Sequence, residues 1–102
     1  MGFELLRNPD YVHLNFSDWP QFLKIAVEHG WVPAGTVAPN NFPEQWDPME
    51  YFSNDWQAVA DADARALGAA LDRALTGGRF GRAEPEIRRL ADFCSGGSFL
   101  IT

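Results

Sequence analysis

The sequence predicts an α+β fold: a small sheet, built from an N-terminal hairpin and a C-terminal strand, covered by three helices. A long ordered aromatic-rich loop separates the first helix from the second. Three observations carry this. Apolar, β-prone runs at the two ends of the chain are bounded by Asn8-Pro9-Asp10 and Gly96-Gly97. Three later stretches repeat apolar residues at spacings of three and four. Between them, from Lys24 to Arg65, no basic residue occurs, while seven carboxylates, four prolines and six aromatics do. At 102 residues, with 46% hydrophobic and 22% charged, the chain has the composition of one α+β domain over 1–102.

Gly2 to Leu6 and Tyr11 to Phe16 read as the two strands of a hairpin. Arg7-Asn8-Pro9-Asp10 is the turn, because proline presets φ and Asn and Asp bond nearby backbone. Period-two alternation sends Val12, Leu14 and Phe16 to the core and Tyr11, His13 and Asn15 outward. A helix follows, with Ser17 or Asp18 as its cap, Pro20 in its first turn and Asp18 with Gln21 resembling a capping box. Trp19, Phe22, Leu23, Ala26 and Val27 form its buried stripe, and Gly30 stops it.

From Trp31 to about Asp55, Pro33, Pro39, Pro43 and Pro48 recur too often for a sustained helix. A stretch carrying Trp31, Phe42, Trp46, Tyr51, Phe52 and Trp56 is too aromatic to remain in water as a linker. Long loops of this kind are often functional. Short strands are expected at Tyr51-Phe52 and around Trp56 to Val59, with Ser53-Asn54-Asp55 turning between them. Asp61 or Asp63 then caps a second helix reaching about Leu75, striped by Leu67, Leu71 and Leu75 and widened by Ala70 and Ala74. Arg65, Asp72 and Arg73 are solvated. Ala64, Ala66, Gly68, Ala69 and Ala70 keep part of this helix thin, which allows close packing. A basic loop follows, with Arg79 and Arg82 around Phe80. The third helix opens at Pro85, turns Ile87, Leu90, Ala91 and Cys94 inward, and ends at Gly96-Gly97. Ser98 to Thr102 is a strand, and its Phe99-Leu100-Ile101 must be paired and covered.

The run Tyr51-Phe52-Ser53-Asn54-Asp55-Trp56-Gln57-Ala58-Val59, followed by Asp63-Ala64 and a leucine-striped helix, resembles a pattern in small uncharacterised bacterial proteins. These read NDGQ, then Val, then a helix opening with DA, and finish on a Gly-Gly and Phe-x-Ile strand. Gly96-Gly97-Ser98-Phe99-Leu100-Ile101 resembles that ending. The likeness covers the C-terminal half only, and Trp56 stands where the pattern has glycine. It implies a fold for these segments and no activity.

Charge limits the function classes. Residues 1–60 hold eight acids and two bases, whereas residues 61–102 hold six of each, so the whole net charge of −6 lies in the first part. That argues against nucleic-acid binding, which needs Lys and Arg on phosphates. It permits a basic protein partner. No apolar run reaches bilayer-spanning length and no secretory leader pattern opens the chain, so no membrane role is expected. Leu6 breaks the myristoylation pattern begun by Met1-Gly2. Cys94 is the only cysteine, which excludes an intramolecular disulfide and suits a cytoplasmic location.

The chemistry-bearing residues carry no catalytic or metal motif. His13 and His29 lie on different elements without ligand spacing. Asp47, Glu50, Asp55, Asp61 and Asp63 lack the glycine-punctuated spacing of a calcium loop. Cys94 falls on a core face near a helix C-terminus, and Gly77-Gly78 and Gly96-Gly97 are helix stops. Arg88 and Arg89 read as a solvated helix face. No catalytic residue, cofactor or metal is therefore assigned. The expected function is a non-enzymatic protein-interaction module, of inhibitor or immunity type, whose surface is Trp46, Asp47, Glu50, Tyr51, Asp55 and Trp56. Two alternatives stand beside it. One is a small hydrolase or ligand-binding protein using His13 or His29 with a carboxylate. The other is a homo-oligomer in which the arginine-bearing second half meets the acidic first half of a neighbour.

Overall fold

The computed structural model describes residues 2–39 and 45–102, so Phe42 and Pro43 of the aromatic stretch lie outside the described residues. β1 (Gly2–Arg7) and β2 (Asp10–Asn15) form the hairpin. They pair in full antiparallel register from Gly2 with Asn15 to Arg7 with Asp10. α1 follows at Asp18–Glu28, then β3 (Thr36–Val37), β4 (Gln57–Val59) and α2 (Asp61–Gly77). A short 3-10 turn, Gly81–Ala83, leads into α3 (Glu84–Ser95), and β5 (Phe99–Ile101) comes last. The fold is α+β, with three helices and a five-stranded antiparallel sheet in the order β2-β1-β5-β4-β3.

The sheet is thus wider than a hairpin plus one strand. The C-terminal strand is its centre, bonded to β1 on one side and β4 on the other. That placement satisfies both of its edges and removes the pairing hazard of an exposed Phe-Leu-Ile segment. Strand β4 falls within the stretch expected to be extended. Strand β3 is only two residues long, too short for an alternation signal, and no strand forms at Tyr51-Phe52.

All three helices pack on one face. Phe3, Leu5, Val12, Leu14, Val59, Phe99 and Ile101 point into that layer and are buried, joined by Trp19, Phe22, Leu67, Leu71, Ile87 and Leu90 from the helices. The intervening sheet residues stay outside, so strand periodicity is fully expressed. Phe16 departs from its expected inward position. β2 ends at Asn15, so the alternation no longer applies, and Phe16 is half exposed with its edge against the Phe3 ring at 5.3 Å. Val27, expected in the α1 stripe, is also half exposed, at the rim of the helix face.

The start of α1 is capped from outside the expected pair. The Asn15 side-chain oxygen accepts from the backbone N–H of Ser17 at 3.0 Å and of Asp18 at 2.7 Å, and from the Ser17 hydroxyl. An Asx-type oxygen two or three residues upstream satisfies the same orphan donors as an N-cap side chain. At the other end Gly30 takes φ +99°, which lets the Trp31 N–H fold back to Ala26 O. Helices α2 and α3 cross at Gly68, where a β-carbon would lie 2.9 Å from Ala91 O and 2.7 Å from Ser95 Oγ. The thin surface expected from the Ala/Gly-rich α2 is where α3 makes this approach.

No helix among the described residues is long and apolar enough to cross a membrane.

Candidate functional site

Residues 45–56, which lead into β4, are fastened from three directions. From behind, Asp63 in the first turn of α2 is 3% exposed. Its Oδ1 accepts from Trp31 Nε1 at 3.0 Å and Ala34 N at 3.1 Å, and its Oδ2 accepts from the Tyr51 hydroxyl at 2.6 Å. The Tyr51 oxygen in turn accepts from Gly35 N at 2.9 Å. One buried carboxylate therefore joins the segments around residues 31–35 and 51 to a helix N-terminus, where negative charge is favoured. Asp63 does not cap α2 as expected, and it does not face solvent. It is the acceptor that lets the Trp31 and Tyr51 donors enter the core, and it also holds the backbone of exposed Ala34.

From the sheet, Gln57 is fully buried. Its Nε2 donates to Ser53 O at 2.7 Å and to Glu50 O at 3.2 Å, while its Oε1 accepts from Asp55 N at 3.0 Å. From β3, Thr36 N donates to Pro48 O at 2.6 Å and Thr36 Oγ1 accepts from Trp46 Nε1 at 2.9 Å. Trp19 Nε1 reaches Tyr51 O at 2.6 Å. A loop with so many backbone groups tied to buried side chains has a defined path, and it determines which rings face out.

Burial pushes the Tyr51 hydroxyl well above its ordinary value of 10.0, and the bond to Asp63 pushes it further the same way. Cys94, fully buried on α3, is likewise raised from 9.0 by burial, with the Arg7 charge pulling it back in part. Both groups stay protonated, which suits packing and not nucleophilic work.

The structure separates the six expected surface residues. Trp56 is 56% exposed, and Asp47 and Asp55 are exposed. Trp46 and Glu50 are half-buried; the Glu50 carboxylate accepts from Phe52 N at 3.0 Å. Tyr51 is 3% exposed and belongs to the core, because its hydroxyl is held inward by Asp63. Two residues outside the expected surface are also exposed, Phe52 at 53% and Met49 at 52%. Trp56 has φ +70°, the left-handed region, as a non-glycine residue.

Between α1 and this loop runs an apolar groove of about 250 Å³. Leu23 and Val27 of α1 form one wall, Met49 and Phe52 the other, and the rings of Trp31 and Tyr51 the floor. Lys24 stands at its margin. No sequence signal marked this groove, since its walls come from elements that periodicity treats separately.

The histidines are placed apart. His13 is exposed on the helix-free face, opposite Glu4 in the β1–β2 register. His29 has Nδ1 2.9 Å from Ile25 O, and its own carbonyl accepts from Arg73 Nε. Arg88 lies beside Glu84 on the exposed side of α3. Among the described residues no group of three His, Cys, Asp or Glu side chains is placed to hold a metal ion. Comparison of the chain with protein-family models, curated proteins and solved structures found no match.

Proposed function

We propose that this chain is a non-enzymatic protein-interaction module, of inhibitor or immunity type, that binds a basic protein through the loop before α2. The contact surface is Trp56 and Phe52, with Asp47 and Asp55 as its acidic rim and Trp46 and Glu50 supporting it from the half-buried side. The observation that carries this reading is Trp56. A bulky residue in the left-handed region costs on the order of 1–2 kcal/mol that glycine would not incur, and the indole is more than half exposed. Folding alone favours glycine there. A tryptophan kept at that cost is accounted for by contact with a partner, since tryptophans dominate interface hot spots. The left-handed backbone at Trp56 also supports the resemblance to the small bacterial NDGQ-type proteins. The buried single thiol agrees with a cytoplasmic setting, which belongs to the same proposal.

The test uses Trp56→Gly with Asp47→Asn/Asp55→Asn. Affinity capture should recover a basic protein on the wild-type chain in a salt-dependent manner. Its affinity should fall tenfold or more for Trp56→Gly and more modestly for the double carboxamide. A Trp56→Gly chain that recovers the same proteins with unchanged affinity overturns the proposal.

A second reading, self-association, is supported by the helix-free side of the sheet. Tyr11, Leu6, Leu100, Ala58 and Val37 fall in one cross-strand row by register. Tyr11 and Val37 are 63% and 55% exposed. A Leu100→Lys variant that leaves sedimentation unchanged across concentration excludes it.

A further inference from the structure

We infer that the groove between α1 and the loop is a binding site for a small amphiphilic anion, an acyl chain or single ring ending in a carboxylate. The groove shares Phe52 with the docking surface proposed above, but the inference does not rest on that surface. Three of the exposed large hydrophobic residues, Val27, Met49 and Phe52, stand around this one depression. The Trp31 N–H and the Tyr51 hydroxyl are both engaged by Asp63, so neither polar group of these two rings is left for an occupant. Apolar walls of this kind favour an apolar body over water, by about 25 cal/mol per Å² removed from solvent.

Size and charge narrow the occupant. At about 250 Å³ the groove falls below the roughly 300 Å³ at which drug-sized ligand sites begin, so it takes one ring or one short chain. Among the described residues Lys24 is the one charged residue lining it. It is also the only base between Arg7 and Arg65, and among the described residues no hydrogen bond or ion pair engages it. Glu50, beside Met49 in the chain, does not line the groove, and its carboxylate accepts from Phe52 N. A ligand whose tail lies over Trp31 and Tyr51 therefore meets a single ammonium at the mouth, and a terminal carboxylate matches it. A cationic head would instead meet a like charge.

The probes are sodium octanoate, 1-octanol and octylammonium chloride, titrated into the intact chain and followed by amide NMR. Octanoate should give saturable shifts centred on Lys24, Val27, Met49 and Phe52. It should bind about three- to five-fold more tightly than octanol, the scale of one exposed ion pair, and octylammonium should bind more weakly than octanol. Lys24→Gln should abolish the octanoate preference while leaving octanol affinity unchanged. Val27→Trp, at a half-exposed position that tolerates bulk, should fill the groove and abolish binding of both. Absence of saturable shifts overturns the proposal, as does octanol binding at least as tightly as octanoate. Octanoate binding retained in Val27→Trp places the site elsewhere and also overturns it. A dimer at assay concentration that Val27→Trp makes monomeric assigns the groove to a second copy, with the same consequence.

Discussion

Removing the Asp63 carboxylate tests whether one buried acceptor organises the whole aromatic stretch. In Asp63→Ala, Trp31 Nε1, Ala34 N and the Tyr51 hydroxyl lose the acceptor they hold at 3.0, 3.1 and 2.6 Å. Trp31 and Tyr51 are each 3% exposed, so water cannot replace it without rearrangement. A buried donor left unpaired costs about 1–3 kcal/mol. Two such losses, at Trp31 and Tyr51, with a smaller one at exposed Ala34, are not additive, because the loop relaxes, and a total of about 3–5 kcal/mol is expected, the range for breaking a buried charged contact. A domain of this size has roughly 5–15 kcal/mol in all, so the variant should lie near the edge of folding. Urea unfolding followed by tryptophan fluorescence reads this directly. With an m-value of about 1–3 kcal/mol per M, the midpoint should fall by roughly 2 M. Asp63→Asn keeps an oxygen for Trp31 and Ala34 and should lose about half as much. The control is Asp61→Ala, which removes only the exposed 3.1 Å pair with Arg65 and should change stability by less than about 1 kcal/mol. If Asp63→Ala and Asp61→Ala shift the midpoint equally, the carboxylate is not the fastening point, and the account of the loop fails with it.

Further expectations concern the same core and its neighbours. Stability should decline at alkaline pH. Folded Cys94 and Tyr51 keep protons that the unfolded chain releases near 9.0 and 10.0, so the unfolded state binds fewer protons and gains as pH rises. Urea midpoints measured from pH 8 to 11 should fall through that window, less steeply in Tyr51→Phe; a flat profile contradicts the burial of both groups. Cys94, fully buried, should resist a thiol reagent such as dithiobis-nitrobenzoate until urea is added, and immediate labelling would place it outside the core. Gly68→Ala should cost about 1–3 kcal/mol by forcing α2 and α3 apart, whereas Ala69→Ser on the exposed side of α2 should change thermal stability little. Trp56→Gly should leave the chain at least as stable as wild type, with a gain of up to about 1–2 kcal/mol; a loss by urea titration would make Trp56 a packing residue.

Helix and strand positions were legible because they depend on neighbours in the chain. The Leu67, Leu71, Leu75 stripe, Pro85 opening α3 and the alternation Val12, Leu14 against Tyr11, His13 all match the observed burial. The same local rules placed Phe16 inside, since alternation does not announce that a strand stops at Asn15. They also could not distinguish two aromatics of the expected surface. Tyr51 and Trp56 sit in similar acidic, aromatic surroundings in the chain. Tyr51 is inward because α2 brings Asp63 to its hydroxyl, and Trp56 is outward because its left-handed backbone starts β4 beside Ile101.

Composition alone raised the expectation that rings in the middle of this chain leave water, and Trp31 and Tyr51 do so while Trp56 and Phe52 do not. Which rings are covered, and by what, is a matter of long-range approach. Trp31 meets a carboxylate 32 positions away, and β5 from the far end of the chain becomes the central strand. Such contacts arise from the summed packing of a whole layer, in which each residue's local preference contributes only a small part.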